Sequence, residues 1–253
     1  MVSIFALVGG PAMGDAVGSL ASAASLKLQY KDAKLVVYPV TKTETSDLVI
    51  KLCPYIDYVI DKNLTPLPLD FMAECDRGGF RLLPNEVQSW IRFARVVMLP
   101  DMYFNQDHVL DRAVLKFPDE LADDLEKRLI GLGLDKGGWY SCVHAREDGY
   151  RYGRNHPRSI SKPERYWEAV KHIMIDQGGQ VVRMGDPAMT PFPKVDGLVD
   201  LSGEPDSFLL QTYALSRARY LLGSDSGPGN LAKGFNTAYG SANHLIMTGN
   251  INF

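Results

Sequence analysis

Leu222-Gly223-Ser224-Asp225-Ser226-Gly227-Pro228-Gly229-Asn230-Leu231-Ala232 follows an apolar run, Tyr220 to Leu222, and leads into a helix-like segment. A strand that stops at Ser-Asp-Ser-Gly and restarts as a helix points backbone N–H groups and small hydroxyls at one spot, which suits a phosphate or diphosphate. A second Gly-rich strand-to-helix turn, Val8-Gly9-Gly10-Pro11-Ala12-Met13-Gly14-Asp15, lies near the N-terminus. Each half of the chain thus carries one such turn, and two facing half-sites imply a cleft.

Outward from these turns, β-like and helix-like segments alternate. Val2 to Val8 suits a strand, Ala16 to Gln29 a helix rich in Ala, Ser and Leu, and Lys34 to Val40 a second strand, which together make a βαβ unit. Tyr55 to Ile60 and Arg95 to Leu99 read as strands, with a helix over Asn85 to Phe93. A charged helix runs from Pro118 toward Gly131 and Gly133, and the domain boundary is placed there. A second series follows, with strands at Tyr140 to His144, Gln180 to Met184, Leu198 to Leu201, Arg219 to Leu222 and His244 to Thr248. Its helices are placed at Pro163 to Asp176, capped by Ser161 or Lys162, at Ser207 to Ser216, and from Pro228. The expected fold class is α/β: two Rossmann-like parallel-sheet domains, 1–117 and 118–253, facing a cleft.

Composition narrows the function classes. The 253 residues have a net charge of −3, with 45% hydrophobic and 23% charged residues, so a nucleic-acid partner is disfavoured. Cys53, Cys75 and Cys142 are too few and too scattered for a disulfide framework or a metal site, which places the chain in a reducing, cytoplasmic setting. No apolar run approaches a membrane span, and Gly9, Gly10, Pro11 and Gly14 interrupt the only stretch resembling a signal peptide.

In open α/β sheets ligands sit beyond the carboxyl ends of the strands, which selects Gly9 to Asp15, His144 to Glu147, Arg183 to Asp186 and Gly223 to Asn230. In the last group Gly227 permits close backbone approach, and Ser224 and Ser226 can donate to phosphate oxygens. The same residues also read as an ordinary helix start, with Asp225 or Ser226 as N-cap. Asp225 would repel a phosphate and is assigned to the loop or the cap. Arg146 follows a strand, and Arg151, Arg154 and Arg158 crowd the next loop with Tyr150, Tyr152 and His156. Guanidinium forks suit a diphosphate, although a solvated basic loop paired with Glu147 and Asp148 is the alternative. Asp15 opens the first helix, where the macrodipole favours an ionised carboxylate able to act as general base, or where it is merely the N-cap. His144, His156 and His244 lack a metal spacing, and His144 in a strand also reads as a satisfied core residue. No C-x-x-C, H-x-x-x-H or G-x-S-x-G pattern occurs, and G-G-P-A-M-G-D is neither G-x-G-x-x-G nor a P-loop.

These residues resemble the GT-B glycosyltransferases, and among them the heptosyltransferase-like branch. Gly14-Asp15 before a small Ala/Ser-rich helix resembles that branch's G-D opening, whose Asp is regarded as the catalytic base. Gly223 to Ala232 is similar to its D-[ST]-G-x-x-H-L-A signature, with Asn230 where the family has His. A closer echo is a bacterial group of glycosyltransferases with H-x-R-E/D-x-G-Y, an R-N pair and R-G-G-x-V-V-R-M-G-D; here stand His144-Ala145-Arg146-Glu147-Asp148-Gly149-Tyr150, Arg154-Asn155 and Gly178 to Asp186.

The resemblance implies transfer of a sugar from a nucleotide-diphosphate donor to a hydroxyl of a glycan, lipid or small-molecule acceptor in bacterial glycan biosynthesis. It implies no metal, no cofactor beyond the donor, and peripheral membrane contact at most. Asp15 is then catalytic; His144, Arg146, Arg154, Arg183, Gly185, Ser224, Asp225, Ser226, Gly227 and Asn230 bind the donor; and Gly10, Met13 and Gly14 form the acceptor-side loop. The family's chain continues past its last strands, so this chain is expected to be a compact version or to lack an end. A nucleotide-sugar hydrolase or epimerase, or a non-catalytic nucleotide- or glycan-binding protein, are the alternatives.

Overall fold

The computed structural model describes residues 3–9, 13–40, 43–60, 85–98, 113–147, 164–224 and 226–241. The chain divides into two compact units, Met1–Lys116 with Gly234–Asn236 and Phe117–Lys233 with Thr237–Phe253. Among the described residues each unit has one sheet, and its strand pairs are parallel.

In the first unit β1 (Ser3–Val8), β2 (Lys34–Pro39), β3 (Tyr58–Val59) and β4 (Val96–Met98) lie in the order β3-β2-β1-β4. Central β1 is buried from Ile4 to Val8, which is why it reads as a continuous apolar run rather than an alternation. Helix α1 (Met13–Gln29) is buried almost all round from Gly14 to Ala24, as its run of small residues allows. Ser19 and Ser25 turn their hydroxyls back to the carbonyl oxygens of Asp15 and Ala21, so they enter this apolar setting with partners. Helix α2 (Glu44–Lys51), which the sequence reading does not find, begins at the N-cap Thr43, whose hydroxyl accepts from the Ser46 N–H at 3.1 Å. Helix α3 spans Asn85–Phe93 as expected, and its Val87 joins Phe5, Leu7, Val36 and Tyr38 in the core.

In the second unit β5 (Tyr140–His144), β6 (Gln180–Arg183), β7 (Leu198–Asp200), β8 (Tyr220–Gly223) and β9 (Ala238–Ser241) lie in the order β7-β6-β5-β8-β9. Its helices are α4 (Asp119–Gly131), α5 (Arg165–Lys171), α6 (Ser207–Arg217) and α7 (Gly227–Phe235). The helix expected over 163–176 is α5 followed by a wider π-helical turn, His172–Asp176, closed by the Gln177 N–H on the His172 carbonyl. It starts after Glu164, so the proposed cap does not stand at its N-terminus; residues 161–163 lie outside the described set. The strand expected at 244–248 also lies outside it, and β9 forms earlier in the chain. Val143, Ala145, Tyr166, Val170, Ile173 and Val181 make the core between β5, β6 and α5. Among the described residues no helix is long and apolar enough to cross a membrane.

Candidate functional site

Both sheets share one plan: the first strand is central, the second and third extend to one side, and the fourth lies on the other. The strand order therefore reverses between β1 and β4, and again between β5 and β8. Such a reversal leaves a crevice beyond the carboxyl ends of its two strands, which is where ligands of open α/β sheets bind.

At the second reversal the backbone of β5 and the turn after β8 are stitched together. His144 is in register with Gly223. One residue further on, the Ser224 N–H donates to the His144 carbonyl at 3.2 Å, and the Arg146 N–H donates to Ser224 Oγ at 2.8 Å. Ser226 stands at the cap position of α7, with its Oγ 3.1 Å from His144 Nδ1 and donating to the Ser224 carbonyl at 3.1 Å. A serine hydroxyl has one proton. With that proton on the Ser224 carbonyl, Nδ1 of His144 is the donor to Ser226, which fixes the imidazole tautomer.

His144 is 7% exposed. Burial first, and then the positive charges of Arg146 and Arg183, push its pKa down from 6.5 to about 4, so the ring is neutral at neutral pH. The same two charges lie by the start of α7, whose positive dipole end adds to them; Pro228 there has no N–H, and the Gly229 N–H donates to the Ser226 carbonyl at 3.0 Å. The backbone and charge arrangement thus suits an anion. The Ser224 and Ser226 hydroxyls, in contrast, are turned inward and build the turn.

Arg183 plays a different part from Arg146. It is 4% exposed, and its guanidinium donates to Asp200 Oδ2 at 2.6 Å, to Ser202 Oγ at 3.1 Å and to the Thr190 carbonyl at 2.6 Å, with the Phe192 ring 4.9 Å from its centre. Burial raises the Asp200 pKa, but the Ser202 hydroxyl and N–H together with Arg183 outweigh it and leave the carboxylate below its ordinary value. Glu147 holds the same loop from the other side, accepting from the Thr190 N–H at 3.0 Å and from its hydroxyl at 2.6 Å. Gly185 is clamped by Gln211, which accepts from its N–H at 3.0 Å and donates to its carbonyl at 2.9 Å. Arg183 and Gly185 therefore frame the loop that follows β6.

The structure brings together His144, Arg146, Ser224, Ser226 and Gly227 at one reversal. Asn230, the fourth residue of α7, is half-buried. At the end of β1, Gly9 has φ 141°, a backbone conformation that favours glycine, and Met13, Gly14 and Asp15 are the first three residues of α1. Asp15 thus lies inside the helix, and its reading as N-cap is corrected. Gly10, Arg154 and Asp225, with Arg151 and Arg158, lie outside the described residues. Sequence reading misses Tyr239, Tyr166, Gln211 and Thr190. The Tyr239 hydroxyl donates to the Ser224 carbonyl at 3.0 Å. Burial chiefly pushes the Tyr166 phenol up to about 12, with Tyr239 adding to the rise and Ser224 opposing it.

No protein-family model and no curated protein matches the sequence. Solved structures do resemble it in fold. A glycosyl transferase family 9 protein from Veillonella parvula superposes with a TM-score of 0.59 at 14% identity, over 95% of this chain and 80% of that one. The Escherichia coli ADP-heptose lipopolysaccharide heptosyltransferase II gives 0.55 at 13% identity, over 95% and 84%. The E. coli heptosyltransferase WaaC, solved with ADP, gives 0.51 at 10% identity, over 95% and 86%. At such identities the likeness is one of fold: the chain has the two-unit, Rossmann-like architecture seen in these glycosyltransferases.

Proposed function

We propose that the chain is a glycosyltransferase that moves a sugar from a nucleotide-diphosphate donor to an acceptor hydroxyl. The observation that carries this reading is the β5/β8 reversal, where a buried arginine, a histidine kept neutral by positive neighbours and a helix start converge on one place. The likeness in fold to glycosyltransferases, one of them solved with ADP, supports the same class.

In the proposed reaction the bond from the sugar's anomeric carbon to the diphosphate oxygen breaks, and its electron pair leaves with the diphosphate. The acceptor oxygen forms the new bond to that carbon, and its proton passes to the Asp15 carboxylate. Arg146 and the first turn of α7 stabilise the charge gathering on the leaving diphosphate, so the step needs no metal. Arg183 supports the loop after β6 rather than touching the diphosphate. The acceptor is a glycan, a lipid or a small molecule, and Met13, Gly14 and Asp15 at the start of α1 are the residues proposed to meet it.

A thermal-shift series with ADP, UDP, GDP and their sugars tests the donor class. A ligand at 100 times its dissociation constant adds about 2.7 kcal/mol of apparent stability, and no shift with any of them would remove the reading. Product analysis then separates transfer from its rivals: glycosylated acceptor supports a transferase, free sugar a hydrolase, and binding without turnover a carrier.

A further inference from the structure

Edge strand β9 brings a tyrosine to the side of the turn that precedes α7. Tyr239 is in register with Leu221 of β8. Its ring lies so close to the helix start that a Cβ built on Gly229 would stand 2.8 Å from ring carbons Cε1 and Cζ and 3.0 Å from the hydroxyl oxygen. A Cβ on Gly223 would lie 3.7 Å from the same ring. Its hydroxyl meets the Ser224 carbonyl, which also accepts from Ser226 Oγ. A carbonyl oxygen has two lone pairs. Both are taken, so this peptide group cannot rotate without losing two hydrogen bonds. One side chain therefore meets the turn through its hydroxyl and the first turn of the helix through its ring.

We propose that Tyr239 is a positioning residue for the diphosphate site: its ring seats α7 at Gly229 and its hydroxyl fixes the Ser224 peptide, which together aim the helix start at the ligand. This inference rests on the reading of that turn as the diphosphate site. It also explains the glycine. Elsewhere in a helix alanine is favoured over glycine, whereas here a methyl group would stand 2.8 Å from ring carbons, so that the seat between ring and helix must give way.

The sign of one substitution is therefore set by another. Gly229→Ala is expected to lower the melting temperature in the natural chain and to leave it unchanged or raise it in a Tyr239→Ala background. Calorimetry with ADP, UDP and GDP follows the same pattern: Gly229→Ala weakens binding more than tenfold alone and less than threefold beside Tyr239→Ala. Tyr239→Phe keeps the ring and loses one hydrogen bond, so it is expected to raise donor KM about two- to tenfold with kcat unchanged. Hydrogen exchange in residues 226–231 of the ligand-free chain speeds up in Tyr239→Phe without global unfolding. Additive effects of Gly229→Ala and Tyr239→Ala, or natural exchange in Tyr239→Phe, would overturn the proposal. Failure of the natural chain to bind any of the three nucleotides would instead overturn the diphosphate reading, and the melting-temperature cycle and exchange would still decide whether Tyr239 holds the turn.

Discussion

The start of the strands in the first unit and the end of the strands in the second handle polar groups in opposite ways. Where β2 and β3 begin, the Asp57 carboxylate takes Lys27 Nζ at 2.6 Å, Lys34 Nζ at 3.0 Å and the Leu35 N–H at 2.8 Å. Opposite charges there satisfy one another and tie β3 to β2. Where β5 and β8 end, the positive charges of Arg146 and Arg183 both bear on one neutral imidazole, and Arg183 also holds the Asp200 carboxylate. The first cluster is closed by the protein itself, so it serves stability. The second sets two like charges around a neutral ring beside a helix start, and it is there that the proposed donor site lies. Burial alone does not separate the two kinds of cluster; the balance of charge within each does.

If this contrast holds, changes at strand ends should alter function and changes at strand starts only stability. The largest effect is expected from Asp15→Asn, beyond the end of β1. Loss of a general base should lower turnover by about 10²–10⁴-fold while donor affinity and melting temperature stay near normal. Turnover and affinity measured on one preparation check this, and near-normal turnover would return Asp15 to a structural role in α1.

Acid titration sharpens the contrast, because the two clusters lose stability in different windows. His144 has a folded pKa of about 4 against 6.5 for the free side chain. As pH falls below 6.5 the unfolded chain binds a proton that the folded chain refuses, so stability drops by roughly 1–3 kcal/mol toward pH 4 and is flat above 6.5. His144→Asn should abolish that upper step, as read by chemical denaturation at pH 7, 5.5 and 4.5. Asp57 behaves similarly but lower on the scale. Burial raises its pKa, yet the hydrogen bonds from Lys27, Leu35 and Lys34 and the Lys27 charge outweigh this and bring it from 3.8 to about 2. Its contribution is complete above pH 3.8 and disappears as pH falls through 2. Asp57→Asn should therefore cost about 1–2 kcal/mol at neutral pH, less in high salt, and leave nucleotide affinity unchanged.

Much of the fold is legible in the sequence because buried parallel strands are continuous apolar runs, as in Ile4 to Val8, and because Ser, Gly and Pro punctuate the helix starts. Helix α2 is harder to see: its mixed Glu44–Lys51 pattern buries only Ser46, Val49 and Ile50, and its main signal is the Thr43 cap. Strand β9 is short and carries Gly240, so its four residues give no apolar run to follow. At the candidate site, residues directly after strands are visible by position, which finds His144, Arg146, Ser224 and Ser226. The direction of their hydroxyls is not visible. The sequence reading gives Ser224 and Ser226 to the phosphate and Arg183 to the diphosphate, whereas in the structure the Ser224 hydroxyl takes the Arg146 N–H, the Ser226 hydroxyl meets His144 and the Ser224 carbonyl, and Arg183 is held by Asp200 and Thr190. Tyr239 and Gln211 lie on elements whose local sequence has no binding signature.

The most direct test is titration calorimetry of ADP, UDP and GDP against the natural chain, Arg146→Ala and Asp57→Asn. The natural chain should bind at least one of the three, Arg146→Ala should weaken that binding by about 10- to 150-fold through loss of charge-assisted hydrogen bonds, and Asp57→Asn should bind as the natural chain does. Equal affinity in the natural chain and Arg146→Ala, or no binding of any nucleoside diphosphate, would contradict the assignment of the β5/β8 reversal as the donor site.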